Sequence, residues 1–335
     1  MTEKKYNWEF LSLTRFLLAF IVLSGHLKVY TDIGLLNWYT KFGSFEAIFG
    51  FLLISGFSIG KSIQKNKKSY FLRRAERIYP VYIASIILLL ITIPPNFSGS
   101  FIIVLLINLV FMNQVLIGTS LVGPAWSLAL EVWLYAFAPL LLKASYKLLI
   151  YLIATSFICY CGYTLGRTLF HWPYYSGTKF GINLILLSFI WIAGFGLATH
   201  QSQIKLFSKV IASIFILHIL LTVTIQLLFR LKHHKFHEFI ATDVVIYVFA
   251  SLCLLGVFYI VVLNHRLPAL SINTKKLFHL LGNISYPLYL IHCSVFDFLK
   301  KLNILNVPLM IIISLAASYI IYYIFDFYSR RRAIS

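Results

Sequence analysis

The chain has 335 residues, 60% of them hydrophobic and only 12% charged, with a mean hydropathy of +0.86 and a formal net charge of +19. Soluble domains carry about a quarter charged residues, so the composition excludes a soluble globular protein and predicts a polytopic, all-α membrane protein. The excess of basic residues reads as loops beside anionic lipid and as a place for an anionic ligand, not as a nucleic-acid surface.

Apolar runs fall near 10–30, 45–62, 78–93, 101–117, 124–142, 148–166, 180–199, 208–229, 241–263, 278–298 and 305–327. The first, Leu11–Leu27, has no separate cleavable hydrophobic segment and is expected to stay as a membrane helix. If all eleven runs cross with the N-terminus inside, 16 Lys and Arg lie in inside loops and 12 outside. If 101–117 does not cross, the balance becomes 19 inside and 9 outside. The positive-inside rule therefore prefers about ten crossings, both termini cytoplasmic, and a re-entrant segment near 95–123. Non-helical backbone at that depth must line a cavity or be buried in protein, which suits the polar, glycine-bearing stretch from Asn113 to Gly123. The whole chain, 1–335, reads as one membrane-embedded domain with no separate soluble domain.

Within the first run, Arg15 and His26 stand eleven residues apart with no other ionisable group between them. That spacing is about three helical turns, so both leave one face about 16 Å apart along the axis. Ionisable groups inside the membrane are costly and face a cavity or a partner. The helix thus offers a cation at one depth and a proton acceptor at another.

The segment Lys61–Arg77 holds seven basic residues against one acid. Its lysines fit an inside anchor. Arg73, Arg74 and Arg77 have forked guanidiniums that match phosphate oxygens, and residues 73 and 77 share a helix face on which they could grip one polyanion. Next, Ser127, Glu131 and Tyr135 recur at i, i+4 and i+8 as a polar stripe on an apolar helix that begins near Trp126. Glu131 is either functional or the partner of a buried Arg or His. Near the C-terminus Asn283, Ser285, Tyr289 and His292 repeat the pattern, as substrate contacts or as interhelical hydrogen bonds.

His171-Trp172-Pro173-Tyr174-Tyr175 reads as an interfacial aromatic belt, with a sugar-stacking platform as the alternative. His233, His234 and His237 lack an acid or cysteine to complete a metal site. Cys159, Cys161, Cys253 and Cys293 have no metal-ligand spacing and read as packing residues, so no metal is expected. No P-loop, HExxH, GxSxG or dinucleotide fingerprint is present.

Five motifs occur in order: Arg15-x10-His26; Phe51-Leu-Leu-Ile-Ser55-Gly56-Phe57; Phe71-Leu-Arg73-Arg74-Ala-Glu-Arg77-Ile-Tyr-Pro80; Trp126-Ser127-Leu-x-x-Glu131-x-x-x-Tyr135-x-x-x-Pro139; and Ile284-Ser285-Tyr286-x-x-Tyr289-Leu-x-His292. Together they resemble integral-membrane acyltransferase family 3, the bacterial O-antigen and exopolysaccharide O-acetylases. The resemblance implies transfer of an acyl group, most often acetyl, from cytoplasmic acyl-CoA to a hydroxyl of an envelope glycan or lipid-linked sugar, in a bacterial inner membrane. The acyl-CoA is a donor substrate, and no permanently bound cofactor is expected. Some relatives add a C-terminal hydrolase-like domain. This chain is expected to lack one and to complete the transfer alone or with a partner.

On that basis His26 is the expected general base, with Glu131 orienting its ring if the two approach. A variant of this reading makes His26 a transient acyl carrier. Arg15 would hold CoA phosphate or the pantetheine entrance, and Arg73, Arg74 and Arg77 the nucleotide phosphates. Ser127, Trp126, Asn283, Ser285, Tyr289 and His292 are candidates for oxyanion or acceptor contacts. The competing expectation is a transporter or flippase of a glycan precursor, since polar helix faces and a re-entrant segment also build substrate pathways.

Overall fold

The structure, a computed structural model, describes residues 7–234, 242–260 and 269–327. Lys4, Lys5, Lys235, Arg266, Arg330, Arg331, Arg332 and His237, which enter the readings above, lie outside the described residues. All regular structure among the described residues is helical: α1 Trp8–Leu27, α2 Asn37–Thr40, α3 Ser44–Lys65, α4 Tyr70–Thr92, α5 Gly99–Leu109, α6 Asn113–Leu116, α7 Ala125–Leu141, α8 Tyr146–Phe170, α9 Ile182–Thr199, α10 Ile204–Lys232, α11 Thr242–Phe258, α12 Ile272–Lys301 and α13 Val307–Ile321. Among the described residues every apolar run forms a helix, and only 101–117 is divided into two separate α-helices. Among the described residues seven helices, α1, α3, α4, α8, α9, α10 and α13 with its π-helical continuation to Phe325, are long and apolar enough to cross a membrane. The protein is therefore a multi-pass membrane protein.

Local chemistry sets the helix ends and kinks. Ser98, Ser145, Ser271 and Asn306 each accept a backbone N–H at the start of α5, α8, α12 and α13, satisfying donors that have no partner inside the helix. Pro139 inside α7 cannot donate to the carbonyl of Tyr135. The buried Tyr70 hydroxyl donates to that carbonyl instead, at 3.2 Å. Such replacement is what lets proline sit within a membrane helix.

Helices α3 and α9 form the centre, and α9 is buried along almost its whole length. They approach through glycine. A Cβ at Gly56 would lie 2.0 Å from the Trp191 carbonyl oxygen, and one at Gly194 would lie 2.2 Å from that of Leu53. Small residues let membrane helices pack by direct backbone contact. The pair runs parallel, with Leu53 beside Gly194 and Gln64 donating to the Thr199 carbonyl. Helices α1 and α12 are also parallel: Phe10 meets Phe278, Ser12 meets Gly282, His26 meets His292 and Tyr30 meets Asp297. So are α4 and α12, through Ile78 with Tyr286 and Thr92 with Lys301.

The segment between α4 and α7 turns back on itself. Its helix α5 has 11 residues, about 16 Å at 1.5 Å per residue, against a hydrocarbon core of about 30 Å. At its end Asn108, fully buried, ties the return. Its amide donates to the carbonyls of Val104 and Thr119, and its side-chain oxygen accepts from Leu121 N–H. The Tyr82 hydroxyl donates to the Asn108 carbonyl, which sets this turn at the level of a residue about 15 Å before the end of α4. The chain then reaches the α8–α9 loop, where Phe180 N–H donates to Val115 and the Gln114 amide to Ser176. Side chains thus satisfy backbone that neither helix nor sheet covers.

Candidate functional site

Helices α1, α3, α4, α7 and α12 enclose a cavity with about 900 Å3 of empty space, its open mouth included. Its polar lining is Arg15 from α1, Ser55 and Ser58 from α3, Arg74 and Arg77 from α4, Ser127, Glu131 and Tyr135 from α7, and Ser285 and Tyr289 from α12. Ile48, Phe51, Leu52, Ile59, Ile78 and Leu128 supply apolar wall. The stripe of α7 thus faces the cavity at all three of its positions, because residues four apart share a helix face.

Polar groups are graded along the cavity. At the end beside the α3–α4 turn, Arg15 donates to the Ser58 hydroxyl at 2.7 Å and Arg74 to the Ser62 hydroxyl at 3.1 Å. Arg74 Nε is buried with no hydrogen-bond partner among the described residues. Glu131 follows, approached by the Ser55 and Tyr135 hydroxyls and by the charges of Arg77 and Arg15. The Ser55 and Tyr135 hydroxyls are 3.0 Å apart, and Trp191 Nε1 donates to Ser55. Farther along, Ser127 and Tyr289 share a hydrogen bond of 2.7 Å, and Tyr289 reaches the Pro124 carbonyl at 3.2 Å.

One turn beyond Tyr289 on α12, His292 is fully buried and meets His26 of α1, with His26 Nδ1 2.7 Å from His292 Nε2 and the two rings stacked. His292 Nδ1 is 2.8 Å from the Leu288 carbonyl. A carbonyl only accepts, so this nitrogen carries the proton, and Nε2 of a neutral His292 is an acceptor. His26 must then donate from Nδ1, which leaves the lone pair of a neutral His26 on Nε2. A backbone carbonyl on α12 thereby selects the tautomer of a ring on α1. The Cys293 sulfur lies 3.5 Å from the same His26 Nδ1. The donor atoms of His26, His292 and Cys293 all fall within 4.8 Å of one another.

The structure redistributes several expected roles. Glu131 makes no hydrogen bond to His26. It sits among Arg15, Arg77, Ser55 and Tyr135, and the expected Glu–His pair gives way to a His–His pair. Arg73 and Arg77 do not grip together. Arg73 turns back to the carbonyls of Asn66 and Lys68, where the end of α3 leaves unpaired acceptors, and the arginines lining the cavity are Arg74 and Arg77. Asn283 points away, donating to the Tyr322 hydroxyl. Ser285 lines the cavity while its hydroxyl donates to the Gly282 carbonyl. Trp126 is buried with its ring edge toward Tyr174, centroids 6.5 Å apart, outside the cavity lining.

Sequence reading missed Ser58, Ser62 and the histidine neighbours of Cys293, which it acquires only when α12 packs on α1. It also missed a second buried cluster. Glu46 Oε1 accepts from the Tyr247 hydroxyl at 2.9 Å and lies 3.4 Å from His218 Nε2, whose Nδ1 is 2.9 Å from the Tyr160 hydroxyl. Glu46 at the head of one apolar run and His218 inside another were the available signals.

The acyltransferase 3 family model, described as "Acyltransferase domain", matches residues 8–325. A protein of Acidianus two-tailed virus, "Putative acetyltransferase ORF330", is 27% identical over 253 residues, which covers 72% of this chain and 70% of that protein. No solved structure matches the chain at a significant level.

Proposed function

This chain is a member of the acyltransferase 3 family, and on that footing we propose that it moves an acyl group, acetyl in the first instance, from cytoplasmic acyl-CoA to a hydroxyl of an envelope glycan or lipid-linked sugar in a bacterial inner membrane. The observation that carries this reading is the cavity itself, with cations at one end and a tautomer-fixed histidine pair beyond the other.

The polarity of the cavity suits a donor that enters from the basic side. Arg74, Arg77 and Arg15 are forks for CoA phosphates, and the unpartnered Nε of Arg74 is a donor awaiting an acceptor. Glu131 shares the cavity lining with Arg15 and Arg77 and faces their charges. The pantetheine arm would lie along the apolar wall. Its thioester would then reach Ser127 and Tyr289, whose hydroxyls can donate to the developing oxyanion. His26 Nε2 takes the proton of the acceptor hydroxyl as its oxygen attacks the thioester carbonyl. Collapse of the tetrahedral intermediate expels the CoA thiolate, which recovers that proton from the imidazolium. His292 is a positioning residue: it holds His26 in the tautomer whose outer nitrogen is basic. Trp172 and Tyr174, exposed in the α8–α9 loop, offer ring surface to a sugar.

The helix directions support ten crossings with both termini on one side, which the loop charges make the cytoplasmic side. If the run 101–117 crossed, α1 and α12 would traverse the membrane in opposite directions, as would α3 and α9. Both pairs are parallel, which fits α5 and α6 as a re-entrant segment between α4 and α7.

Incubating the purified protein with labelled acetyl-CoA and envelope glycan tests the assignment. Transfer should fall by at least about 10²–10⁴-fold in His26→Ala while membrane insertion stays normal. His292→Phe should lower the rate, and His292→Gln, whose amide oxygen can accept from His26 Nδ1, should recover part of it. A fully active His26→Ala, or movement of glycan across vesicles without acyl chemistry, would overturn the reading in favour of another base or of a transporter.

A further inference from the structure

The donor set at the end of the cavity has a chemistry that acyl transfer does not require. Two imidazole nitrogens and one thiol converge from α1 and α12, their ligating atoms within 4.8 Å of one another. Nitrogen and sulfur donors in this number select a thiophilic divalent cation, and three protein ligands with a fourth position open is a common zinc arrangement.

We propose that His26, His292 and Cys293 form a regulatory site for Zn2+ or a similar soft divalent cation, and that occupancy switches off the acyl transfer assigned above. The effect on transfer rests on that assignment, whereas the binding itself does not.

The geometry is close to what coordination needs. Tetrahedral zinc with Zn–N of about 2.0–2.1 Å and Zn–S of about 2.3 Å places two ligating nitrogens about 3.3 Å apart, and nitrogen and sulfur about 3.5 Å apart. Cys293 Sγ is already 3.5 Å from His26 Nδ1. The two nitrogens, 2.7 Å apart, must separate, which exchanges their hydrogen bond for two metal bonds, and the sulfur, within 4.8 Å of His292 Nε2, must settle about 3.5 Å from it. The Leu288 carbonyl holds the proton of His292 on Nδ1, leaving Nε2 as the ligating atom. Such a carbonyl partner on the second nitrogen is a usual companion of zinc-bound histidine. Asp297, one turn beyond Cys293 and held by the Tyr30 hydroxyl at 2.7 Å, adds a negative charge on the same helix face. His26 and Cys293 are only half-buried, so a small cation can reach them.

The switch follows from the tautomer. In the free protein, His26 carries its proton on Nδ1 and its lone pair on Nε2. A metal on Nδ1 needs that lone pair, so the single ring proton moves to Nε2. The nitrogen that would take the proton of the acceptor is then protonated, and general-base transfer stops. Cys293 binds as thiolate, so one proton leaves per metal bound.

The test uses the full-length protein in detergent, stripped with a chelator. Co2+ titration should give one equivalent with a sulfur-to-cobalt charge-transfer band that is absent in Cys293→Ser. Zn2+ should inhibit transfer by more than tenfold and chelator should reverse it. In Cys293→Ser, which leaves the histidine pair in place, basal transfer should persist and the Zn2+ needed for inhibition should rise by at least about tenfold. Absence of the thiolate band, binding without inhibition, or equal Zn2+ sensitivity in Cys293→Ser would overturn the proposal. If the stripped protein transfers no acyl group at all, the functional assignment fails while the cobalt titration still decides the site.

Discussion

Glu46 is buried in this helix bundle and Glu131 is half-buried against its cavity, and their surroundings differ. Glu46 lies in a closed cluster in which the Tyr247 hydroxyl donates to it, His218 faces it, and Tyr160 closes the other side of that imidazole. Glu131 lies against a cavity, between two arginines and beside hydroxyls that also face open space. Both satisfy the rule that a charge within a membrane needs partners. The first arrangement uses its partners up inside the bundle. The second leaves arginine forks and hydroxyls exposed to a visitor. Burial of an acid therefore separates neither role from the other; what separates them is whether its partners can also reach something that comes and goes.

Substitution at Glu131 should break that comparison most sharply. Glu131→Gln keeps the shape of the side chain but removes an acid that shares the cavity lining with Arg15 and Arg77. Hydrogen bonds to charged groups are worth about 1.5–3 kcal/mol, so the rate of transfer should drop by about 10–100-fold. Folded yield and melting temperature should change little, because glutamine keeps the size of the side chain and its hydrogen bonds with the Ser55 and Tyr135 hydroxyls. A melting temperature that falls in step with the rate would make Glu131 a structural acid like Glu46. Arg74→Ala sharpens the other half of the comparison. It should raise the KM for acetyl-CoA by about tenfold or more with kcat nearly kept, the signature of binding that does not change between ground and transition state. Arg73→Ala, whose guanidinium serves the α3–α4 turn, should leave KM nearly unchanged. Equal KM effects from the two would remove the distinction between them.

How much of this was legible beforehand follows the range of each interaction. The helices were visible because a membrane span needs only length and apolarity, and the break in 101–117 showed in the balance of loop charges. The face of α7 was visible because Ser127, Glu131 and Tyr135 are linked by helical periodicity alone. The partner of His26 was not. It comes from 266 residues away, through a packing of α1 on α12 so close that a Cβ on Gly282 would sit 2.5 Å from Ser12 Cβ. No local pattern encodes that contact. Arg73 and Arg77 share a face in principle, yet a turn with open carbonyls captured the first of them. Cys293 looked like packing because its helix neighbours are apolar, and its chemical neighbours lie on another helix.

Glu46→Ala gives the smallest effect on chemistry and the clearest effect on folding. Removing the carboxylate leaves the Tyr247 hydroxyl and His218 Nε2 buried without their common acceptor, although these two groups, 3.1 Å apart, can still bond each other. The loss should be about 1–3 kcal/mol of stability, the usual cost of stranding a buried polar group, read as a lower melting temperature in detergent. Transfer per folded molecule should stay within about twofold, because the groups proposed to touch donor or acceptor are elsewhere, in the cavity and the histidine pair, and substitutions at sites without shared partners act nearly independently. The link that could defeat this is short: Glu46 sits at the head of α3, the helix that carries Ser55 and Ser58 to the cavity. If Glu46→Ala slowed transfer by tenfold at full folded yield, the closed cluster would be steering α3 and so the cavity. The two acids would then belong to one functional unit.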